Sequence, residues 1–251
     1  MGVPIIFVHG VGASAAQWGK FNIPGHPLFY ISFLNRFDNP SNQALELGKY
    51  INDVLIKTKQ ERVILVCHSM GGLVARKYLT DNTNAHRVEK MVLLSTPNIG
   101  TIGLTFNWLP LILIIFGALG YKFIWPLIIC LAGLLYEIIS YLRGVLLLSP
   151  AAWAMRKNSR FIRKLNLKKM PEDVKYVSVL SDTRVFPHRL VNIFLFREGG
   201  DGAIPVGSQK LSAKSVPNFS RINYSEHKID LPHFAVPRKI NPQLLIDCIG
   251  N

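Results

Sequence analysis

A serine placed between a predicted buried strand and a predicted helix constrains the fold of this 251-residue chain more than any other feature. The apolar run Val63–Val66 predicts the strand, and the stretch from Gly72 to Leu79 has a helical pattern. Between them, Cys67-His68-Ser69-Met70-Gly71 places the serine on a sharp turn. Gly71 suits this turn, because the start of the helix must pack closely against the preceding strand. The segment therefore predicts a strand, a tight turn and a helix, with Ser69 at the turn.

A second motif lies near the amino terminus, where the buried-type strand Val3–Val8 runs into the glycine-containing loop His9–Gly12. Together, F-V-H-G-V-G and H-S-M-G-G resemble the lipase branch of the α/β-hydrolase superfamily, in particular its minimal bacterial-type triacylglycerol lipases and esterases. The resemblance implies that Ser69 is the nucleophile. It also implies that the main-chain amides of Val11 and Met70 form the oxyanion hole.

The resemblance is close over residues 1–100 and looser over 174–240, and the segment between has no counterpart that we can name. Cys67 departs from the pattern, because it stands where the family's G-x-S-x-G motif has its first glycine. A cysteine is small enough to fit, but because it is larger than glycine we expect a turn that is tighter or less ideal than usual. We also expect a minimal core without the antiparallel hairpin of larger α/β-hydrolases.

A serine hydroxyl is a poor nucleophile and needs a histidine base that a carboxylate orients. In this fold the order along the chain is serine, acid, histidine, so the acid follows Ser69. The segment Gly200–Pro205 resembles the D-G-x-V-P loop that carries the lipase acid, which implies Asp201. Asp182 is the alternative because it also ends an apolar run, although an aspartate beside a threonine is typical of a simple turn.

Three histidines, His188, His227 and His233, follow the apolar insertion considered below. His233 comes after a predicted strand and before a final helix predicted from about Asn241 to Ile249, which is where lipases of this type place their base. His227 is close enough in sequence to remain the alternative. We interpret His188 as a solvated surface residue, and His68 as a packing residue.

The alternation of apolar strands with helical stretches predicts one α/β-hydrolase domain over residues 1–251, with a mostly parallel sheet and helices on both faces. Asn39-Pro40-Ser41 predicts the start of a helix that continues to about Lys57. Its mostly helical apolar period comes from Leu45, Leu47, Ile51, Val54 and Leu55. Strands are predicted near residues 3–8, 28–34, 61–67, 88–95, 174–180, 190–196 and 219–224.

Residues 101–155 form an apolar insertion in which only Lys122, Glu137 and Arg143 are charged. A helix that spans a bilayer needs about 20 apolar residues, and the insertion offers two marginal segments of that kind. Ser69 precedes the insertion and the other candidate residues follow it, so a single membrane crossing would separate them. We therefore expect a hydrophobic helical lid or a membrane hairpin. A helical cap packed within the protein is the alternative.

The formal net charge of +14 lies mainly after the insertion. A run without any acid contains Arg156, Lys157, Arg160, Arg163, Lys164, Lys168 and Lys169. On one helix, four of these side chains (156, 160, 163 and 164) would share a face that suits the anionic headgroups of a membrane surface. We expect no nucleic-acid partner, because no nucleic-acid-binding motif accompanies the charge. A simply solvated basic helix is the alternative.

The cysteines Cys67, Cys130 and Cys248 lie far apart, with no spacing typical of a metal site or a disulfide framework. We therefore expect neither a metal nor an organic cofactor. Because the first motif already begins at His9, we expect no signal peptide and a membrane-associated protein whose catalytic core is cytoplasmic.

Residues and resemblance together predict a serine carboxylic-ester hydrolase, in the sense of a lipase, phospholipase or esterase. Its substrate would be a lipid acyl ester, cleaved through an acyl-enzyme that water, or a lipid alcohol, then resolves. One alternative is a soluble esterase or thioesterase with a capped site. The other is a membrane-anchored scaffold that has lost its activity.

Overall fold

The computed structural model describes residues 2–81, 86–101, 149–186 and 188–250. The strands that it describes are β1 (Ile5–Val8), β2 (Leu28–Tyr30), β3 (Val63–His68), β4 (Val88–Leu94), β5 (Lys175–Ser181) and β6 (Asn223–Ile229). They form one sheet in the order β2-β1-β3-β4-β5-β6, and every neighbouring pair is parallel. Because parallel strands end at the same edge, the loops that follow them meet at the carboxyl edge of the sheet.

The helices lie between these strands. Their bounds are α1 (Pro40–Thr58), α2 (Met70–Asp81), α3 (Pro150–Met155), α4 (Arg160–Asn166), α5 (His188–Val191), α6 (Val206–Gln209), α7 (Val236–Lys239) and α8 (Pro242–Gly250). A π-helical turn, Asn192–Phe196, continues α5. Short 3-10 turns occur at Ala15–Gln17, Phe219–Arg221 and His233–Ala235.

The sheet is buried on both faces, as parallel sheets usually are. Alternate residues of a strand point to opposite faces. In β3, Leu65 and Cys67 belong to the core that includes α1, α2, α3 and α4, whereas Ile64 and Val66 belong to the core that includes α7 and α8. The predicted fold class, a parallel sheet with helices on both faces, is confirmed.

Two of the predicted strands need correction. The strand predicted at 190–196 is wrong, because this segment is helical. A continuous apolar run does not by itself distinguish a strand from a helix, and that ambiguity caused the error. The strand predicted at 219–224 lies later in the chain, as β6. This edge strand contains Glu226, His227 and Lys228, and its exposed polar residues lack the apolar pattern of a buried strand.

The helix predicted to start at Asn39 is confirmed as α1. The Asn39 side chain accepts a hydrogen bond from the Ser41 amide at 2.9 Å, and Pro40 is the first helical residue. Leu45, which the sequence assigns to the apolar face, is instead 67% exposed. The buried side of α1 is formed by Pro40, Gln43, Ala44, Leu47, Ile51 and Val54.

The basic run does not form one helix, so the predicted face shared by all four of Arg156, Arg160, Arg163 and Lys164 is wrong. The last three lie in one short helix, from which Arg156 is excluded. Helix α3 ends before Arg156, and Asn158 adopts a φ of 62°, outside the helical region. A new helix, α4, then starts at Arg160.

The insertion predicted at 101–155 lies largely outside the described residues, which resume at residue 149. Its lid or hairpin therefore stays a prediction. The described ends of the segment are joined, because the Thr101 amide donates to the Met155 carbonyl at 2.9 Å and the Lys157 amide donates to the Thr101 carbonyl at 3.2 Å. None of the helices that the structure describes is long and apolar enough to cross a bilayer.

Candidate active site

Ser69 lies on the turn between β3 and α2, where the sequence predicts it. Its φ is 53°, in the left-handed region that few residues other than glycine adopt. Its amide donates to the Leu94 carbonyl of β4 at 2.9 Å, which ties the turn to the sheet. A Cβ at position 71 would lie 2.5 Å from the Val8 oxygen and 2.7 Å from the His9 oxygen. Only glycine at position 71 therefore lets α2 start so close to β1.

The turn forms with Cys67 in the position of the motif's first glycine. Cys67 belongs to β3, pairs with Val8 and Leu93 in the neighbouring strands, and is fully buried. Burial raises the pKa of its thiol, so this side chain acts as a small, protonated core residue.

Ser69, His233 and Asp201 form a continuous row of hydrogen bonds. The Ser69 hydroxyl donates to Nε2 of His233 at 3.0 Å, and Nδ1–H of His233 donates to Oδ2 of Asp201 at 2.7 Å. The three residues are only 4%, 6% and 0% exposed, respectively. The structure thus brings together the three side chains that the sequence selects, in the arrangement of a nucleophile, a base and an orienting acid.

Asp201 is fixed on all sides. Its Oδ1 accepts hydrogen bonds from the amides of Ala203 at 3.0 Å and Ile204 at 2.8 Å. Its backbone carbonyl accepts a hydrogen bond from the His233 amide at 2.9 Å. The acid and the base are therefore linked through both their side chains and their backbones.

The other candidates lie outside this row. Asp182 is exposed, and its Oδ1 accepts a hydrogen bond from the Gly200 amide at 3.0 Å, so it supports the loop that carries Asp201. His227 lies within the edge strand β6. His188 is half-buried rather than fully solvated, and a Cβ at Gly202 would lie 2.5 Å from its Nδ1.

His68 holds His233, the predicted base, through a hydrogen bond that the sequence does not predict. Its Nε2 donates to the His233 carbonyl at 3.1 Å. Burial, reinforced by the repulsion between the two imidazoles when both are protonated, lowers the pKa of His68 well below its ordinary value. His68 therefore stays neutral and helps to position His233.

His9 fixes the loop that follows β1. Its Nδ1–H donates to the Gly10 carbonyl at 2.7 Å, and its Nε2 accepts from the Phe33 amide at 3.1 Å. Burial lowers the pKa of His9, which keeps the ring neutral as this pair of hydrogen bonds requires. A histidine directly before the glycines of the predicted oxyanion loop is the sequence signal that could have indicated this role.

The two predicted oxyanion donors lie beside Ser69, the predicted nucleophile. Met70 is the first residue of α2, and Val11 follows Gly10, at which a Cβ would lie 3.1 Å from the Ser69 Cβ. Within the described parts of the chain, neither amide has an acceptor. Both N–H groups are thus available for an oxygen that carries negative charge.

Asn192 is a further site residue that sequence reasoning missed. It is 4% exposed, and its Nδ2 donates to the carbonyls of Gly200 at 2.6 Å and Thr183 at 3.3 Å. Its Oδ1 accepts from the Gly202 amide at 3.0 Å. Asn192 therefore holds both sides of the Asp201 loop. A buried asparagine within an otherwise apolar run was the available signal.

The described end of the insertion also contacts this loop. The Thr101 hydroxyl donates to the Ala203 carbonyl at 2.8 Å, and the Ser208 hydroxyl donates to the Gly100 carbonyl at 2.6 Å. No cluster of three potential metal ligands occurs among the residues that the structure describes.

The sheet order and the serine turn define the α/β-hydrolase fold, and comparison with solved structures agrees. The mature form of the Bacillus licheniformis lipase BlEst2 superposes with a TM-score of 0.69 at 17% identity, over 98% of this chain and 91% of that one. EstA from Clostridium botulinum gives a TM-score of 0.64 at 16% identity, over 98% of this chain and 86% of that one.

The chain belongs to a family described as Domain of unknown function (DUF7379), whose model matches residues 37–200. Two relatives match shorter stretches. The lysosomal thioesterase PPT2-B of Xenopus laevis is 31% identical over 111 residues, which is 41% of this chain and 38% of that protein. Putative esterase/lipase 2 of Mycoplasma genitalium is 29% identical over 102 residues, which is 37% of each chain. The matches thus span less than half of either relative.

Proposed function

We propose that this protein is a serine hydrolase that cleaves carboxylic esters with a lipid-like acyl chain. The observation that carries the proposal is the hydrogen-bonded row of Ser69, His233 and Asp201, with Ser69 held at a positive φ beside two available amides. The relatives named as esterase, lipase and thioesterase support the same class of reaction.

The reaction proceeds in two halves. Oγ of Ser69 attacks the ester carbonyl carbon while Nε2 of His233 takes the hydroxyl proton, and the amides of Val11 and Met70 stabilise the oxyanion. The carbon–oxygen bond to the alcohol then breaks, and His233 protonates the leaving alcohol. A water molecule attacks the acyl-enzyme and gives its proton to His233. The acid is released when the proton returns to Ser69, and Asp201 keeps the imidazole oriented throughout.

Exposed apolar side chains at the carboxyl edge of the sheet support an apolar acyl group. Leu34, Phe186 and Phe234 follow β2, β5 and β6 and are 94%, 76% and 79% exposed. Phe234 directly follows the proposed base, His233. Large exposed apolar side chains are typical of surfaces that contact other molecules.

A basic surface supports action at an anionic membrane. We define it by the exposed cations that lie on and beside α4, namely Lys157, Arg160, Arg163, Lys164 and Lys169. Trp153 and Leu167, which are 52% and 80% exposed, lie in the same stretch of the chain. Cations interleaved with exposed apolar groups suit the headgroup region of an anionic bilayer.

Thioester hydrolysis is the second candidate, and the match to a named thioesterase favours it. The same triad cleaves a thioester by the same steps, with a thiol as the leaving group. The kcat/KM values for butyryl esters and butyryl thioesters with matched leaving groups distinguish the two activities.

The test of the proposal is the loss of activity in Ser69→Ala. We expect hydrolysis of p-nitrophenyl butyrate to fall by at least about a thousandfold, and covalent labelling by a fluorophosphonate probe to disappear. Ser95→Ala is a matched control, because Ser95 is also buried, follows the neighbouring strand and has a φ of 50°. That control is expected to keep its activity within about threefold. Full activity in Ser69→Ala would refute the mechanism.

A further inference from the structure

A cavity of about 500 Å³ lies beside the loop that carries Asp201. It opens beyond the carboxyl end of β5, at the same edge of the sheet as the serine turn after β3. Ligands of open α/β sheets bind at this edge. The side chains that define its character are Asp182, Arg184, Arg189, Asn192, Arg197 and Glu198.

The cavity is rich in guanidinium groups. Arg184, Arg189 and Arg197 are exposed, and within the described residues no carboxylate lies within ion-pair distance of any of them. Three guanidinium groups against two carboxylates leave the lining with a net positive charge of one. The cavity therefore offers several free donors to an anion.

The two carboxylates in the lining already have partners. Oδ1 of Asp182 accepts from the Gly200 amide at 3.0 Å, and Oε2 of Glu198 accepts from the Gly207 amide at 3.1 Å. Both hydrogen bonds hold the backbone of the loop around the cavity. The carboxylates thus build the wall, whereas the arginines remain available to a ligand.

The wall of the cavity is also part of the proposed active site. Asn192 belongs to the lining and donates to the Gly200 carbonyl, and its Oδ1 accepts from the Gly202 amide. Asp201 lies between these two glycines. A group bound in the cavity is therefore held against the loop that orients His233, as a second part of the same substrate would be.

Exposed apolar side chains flank the arginines. Val185, Phe186 and Ile193 are 49%, 76% and 52% exposed and lie in the same segment as Arg184 and Arg189. A ligand with an anionic group and an apolar chain matches this arrangement, since both kinds of contact occur side by side.

We propose that the cavity lined by Arg184, Arg189 and Arg197 binds the phosphate group of a lipid-like ester whose acyl group is cleaved at Ser69. Phosphate fits better than a single carboxylate, because its several oxygens can engage more than one guanidinium fork. The proposal rests on the proposed ester hydrolase function. It names the polar half of the substrate, which is either the phosphate of the cleaved ester itself or the headgroup of a neighbouring lipid.

Binding is tested without turnover. Glycerol 1-phosphate is titrated into the Ser69→Ala variant by calorimetry. The same titration is made with a triple variant that also carries Arg184→Gln and Arg189→Gln. We expect these two changes to weaken binding at least about tenfold, because they remove charge-assisted hydrogen bonds. Arg197 is left intact, since its φ of 54° makes any replacement there hard to interpret.

The matched control removes two exposed positive charges elsewhere, in Arg62→Gln/Lys49→Gln. Arg62 precedes β3 and so lies at the opposite edge of the sheet, and Lys49 lies in α1. This control is expected to change the binding of glycerol 1-phosphate by less than about twofold. Equal weakening in both double variants would overturn the proposal, because general charge would then explain the binding.

Kinetics identify the source of the phosphate. The kcat/KM for hydrolysis of short-chain monoacylglycerol phosphate is compared with that of the uncharged monoacylglycerol. In a second experiment, the rate of hydrolysis of the uncharged ester is measured in vesicles of phosphatidic acid and in vesicles of phosphatidylcholine. Selective loss of the monoacylglycerol phosphate preference in Arg184→Gln/Arg189→Gln supports binding of the substrate's own phosphate. Loss of rate only in phosphatidic acid vesicles supports binding of a neighbouring headgroup.

The outcomes separate this proposal from the proposed function. If neither kinetic preference depends on Arg184 and Arg189, the cavity is not a phosphate site for the substrate and the proposal is overturned. If wild-type protein hydrolyses no ester, yet glycerol 1-phosphate binding depends on these two arginines, the phosphate site stands and the proposed function fails.

Discussion

Asp201 is the residue that most restricts the chemistry of the site. Its Oδ1 is occupied by two backbone amides, so only Oδ2 faces the imidazole of His233. This arrangement fixes the proton of the neutral ring on Nδ1 and leaves Nε2 as the acceptor for the Ser69 hydroxyl. In the proposed reaction, the turn that follows Asp201 therefore sets the direction of proton transfer.

Asp201→Asn should move the proton of the neutral His233 ring from Nδ1 to Nε2. The amide oxygen would keep accepting from residues 203 and 204, so the NH₂ group would face Nδ1 of His233 and force the proton onto Nε2. We expect kcat for p-nitrophenyl butyrate to fall by about 10⁴-fold with little change in fold stability.

Asp182→Asn separates the two candidate acids. It keeps an acceptor for the Gly200 amide, and we expect it to reduce kcat less than about tenfold. The exposed Asp53→Asn serves as a control without effect. A larger loss in Asp182→Asn than in Asp201→Asn would contradict our assignment of the acid.

Ser69 and Asp201 were predictable because each lies within a recognisable motif. His233 was predictable because the order along the chain is fixed and this residue lies between a predicted strand and the final helix. The supporting residues were not. Asn192, His68 and His9 act through hydrogen bonds to backbone carbonyls and amides of distant loops. Such contacts depend on how loops meet in three dimensions, so the local signals at His9 and Asn192 do not identify the partners of these side chains.

His9 directly follows β1 and His68 ends β3, and both imidazole rings are buried. Burial lowers the pKa of both rings below the ordinary 6.5. Below about pH 6.5 the unfolded chain therefore binds protons that the folded protein does not, and stability falls with falling pH. We expect each histidine to lower the free energy of unfolding by at most about 1.4 kcal/mol per pH unit, between about pH 6.5 and the pKa of the folded ring, and to have no effect above about pH 7.5. The range is wider for His68, whose pKa is lowered further.

His68→Gln tests this contribution, because glutamine can still donate to the His233 carbonyl but does not titrate. Urea unfolding at pH 7.5 and pH 5.5 should show that the free energy of unfolding of the wild type falls by about 1 kcal/mol more than that of the variant. An equal fall in the free energy of unfolding of the wild type and the variant would show that His68 does not stay neutral in the folded protein.

Helix α2 is held to its surroundings by a fully buried arginine, Arg76. Its Nη1 donates to the backbone carbonyl and to the side-chain oxygen of Asn98, and its Nη2 donates to Asn166 and to the Ser215 carbonyl. Burial lowers its pKa to about 10, so the guanidinium stays charged at neutral pH. One side chain thus connects the nucleophile helix to the segments on both sides of the insertion.

Arg76→Met should leave buried carbonyl oxygens without donors. We expect a loss of about 3 kcal/mol in the free energy of unfolding, measured with urea. Arg62→Met, at an exposed position, should change it by less than about 0.5 kcal/mol. Similar effects of the two substitutions would mean that the hydrogen bonds of Arg76 contribute little.

The errors at element scale have a common physical origin. The segment 190–196 is apolar enough for a buried strand, yet it forms a helical turn whose Asn192 bonds to the acid loop. The edge strand β6 is polar, because one side of an edge strand faces solvent. Buried central strands such as β3 were predictable, since burial on both faces leaves a continuous apolar signature.

At the scale of the whole molecule, the uneven charge predicts a preferred orientation on an anionic bilayer. Arg160→Gln/Arg163→Gln/Lys164→Gln removes three cations of the basic surface. We expect about 100-fold weaker binding to phosphatidylglycerol vesicles at low salt, from about 1 kcal/mol per residue. Cosedimentation with the vesicles measures this change.

The control Lys20→Gln/Lys49→Gln/Arg62→Gln removes the same charge from other exposed positions. It should bind the same vesicles nearly as well as the wild type does. Equal loss in both triple variants would show that net charge, and not the basic surface, governs binding. Membrane attachment stays a prediction that vesicle cosedimentation tests, and the cytoplasmic location stays a prediction that cell fractionation tests.

The joined ends at Thr101 and Met155–Lys157 have a further consequence. Because Thr101 is hydrogen-bonded to Met155 and Lys157, the described residues on the two sides of 102–148 lie close together, and a short linker is long enough to join them. A segment of any other length can therefore replace residues 102–148 without altering how the sheet assembles. Changes between residues 102 and 148 therefore leave the hydrogen-bonded row of Ser69, His233 and Asp201 in place.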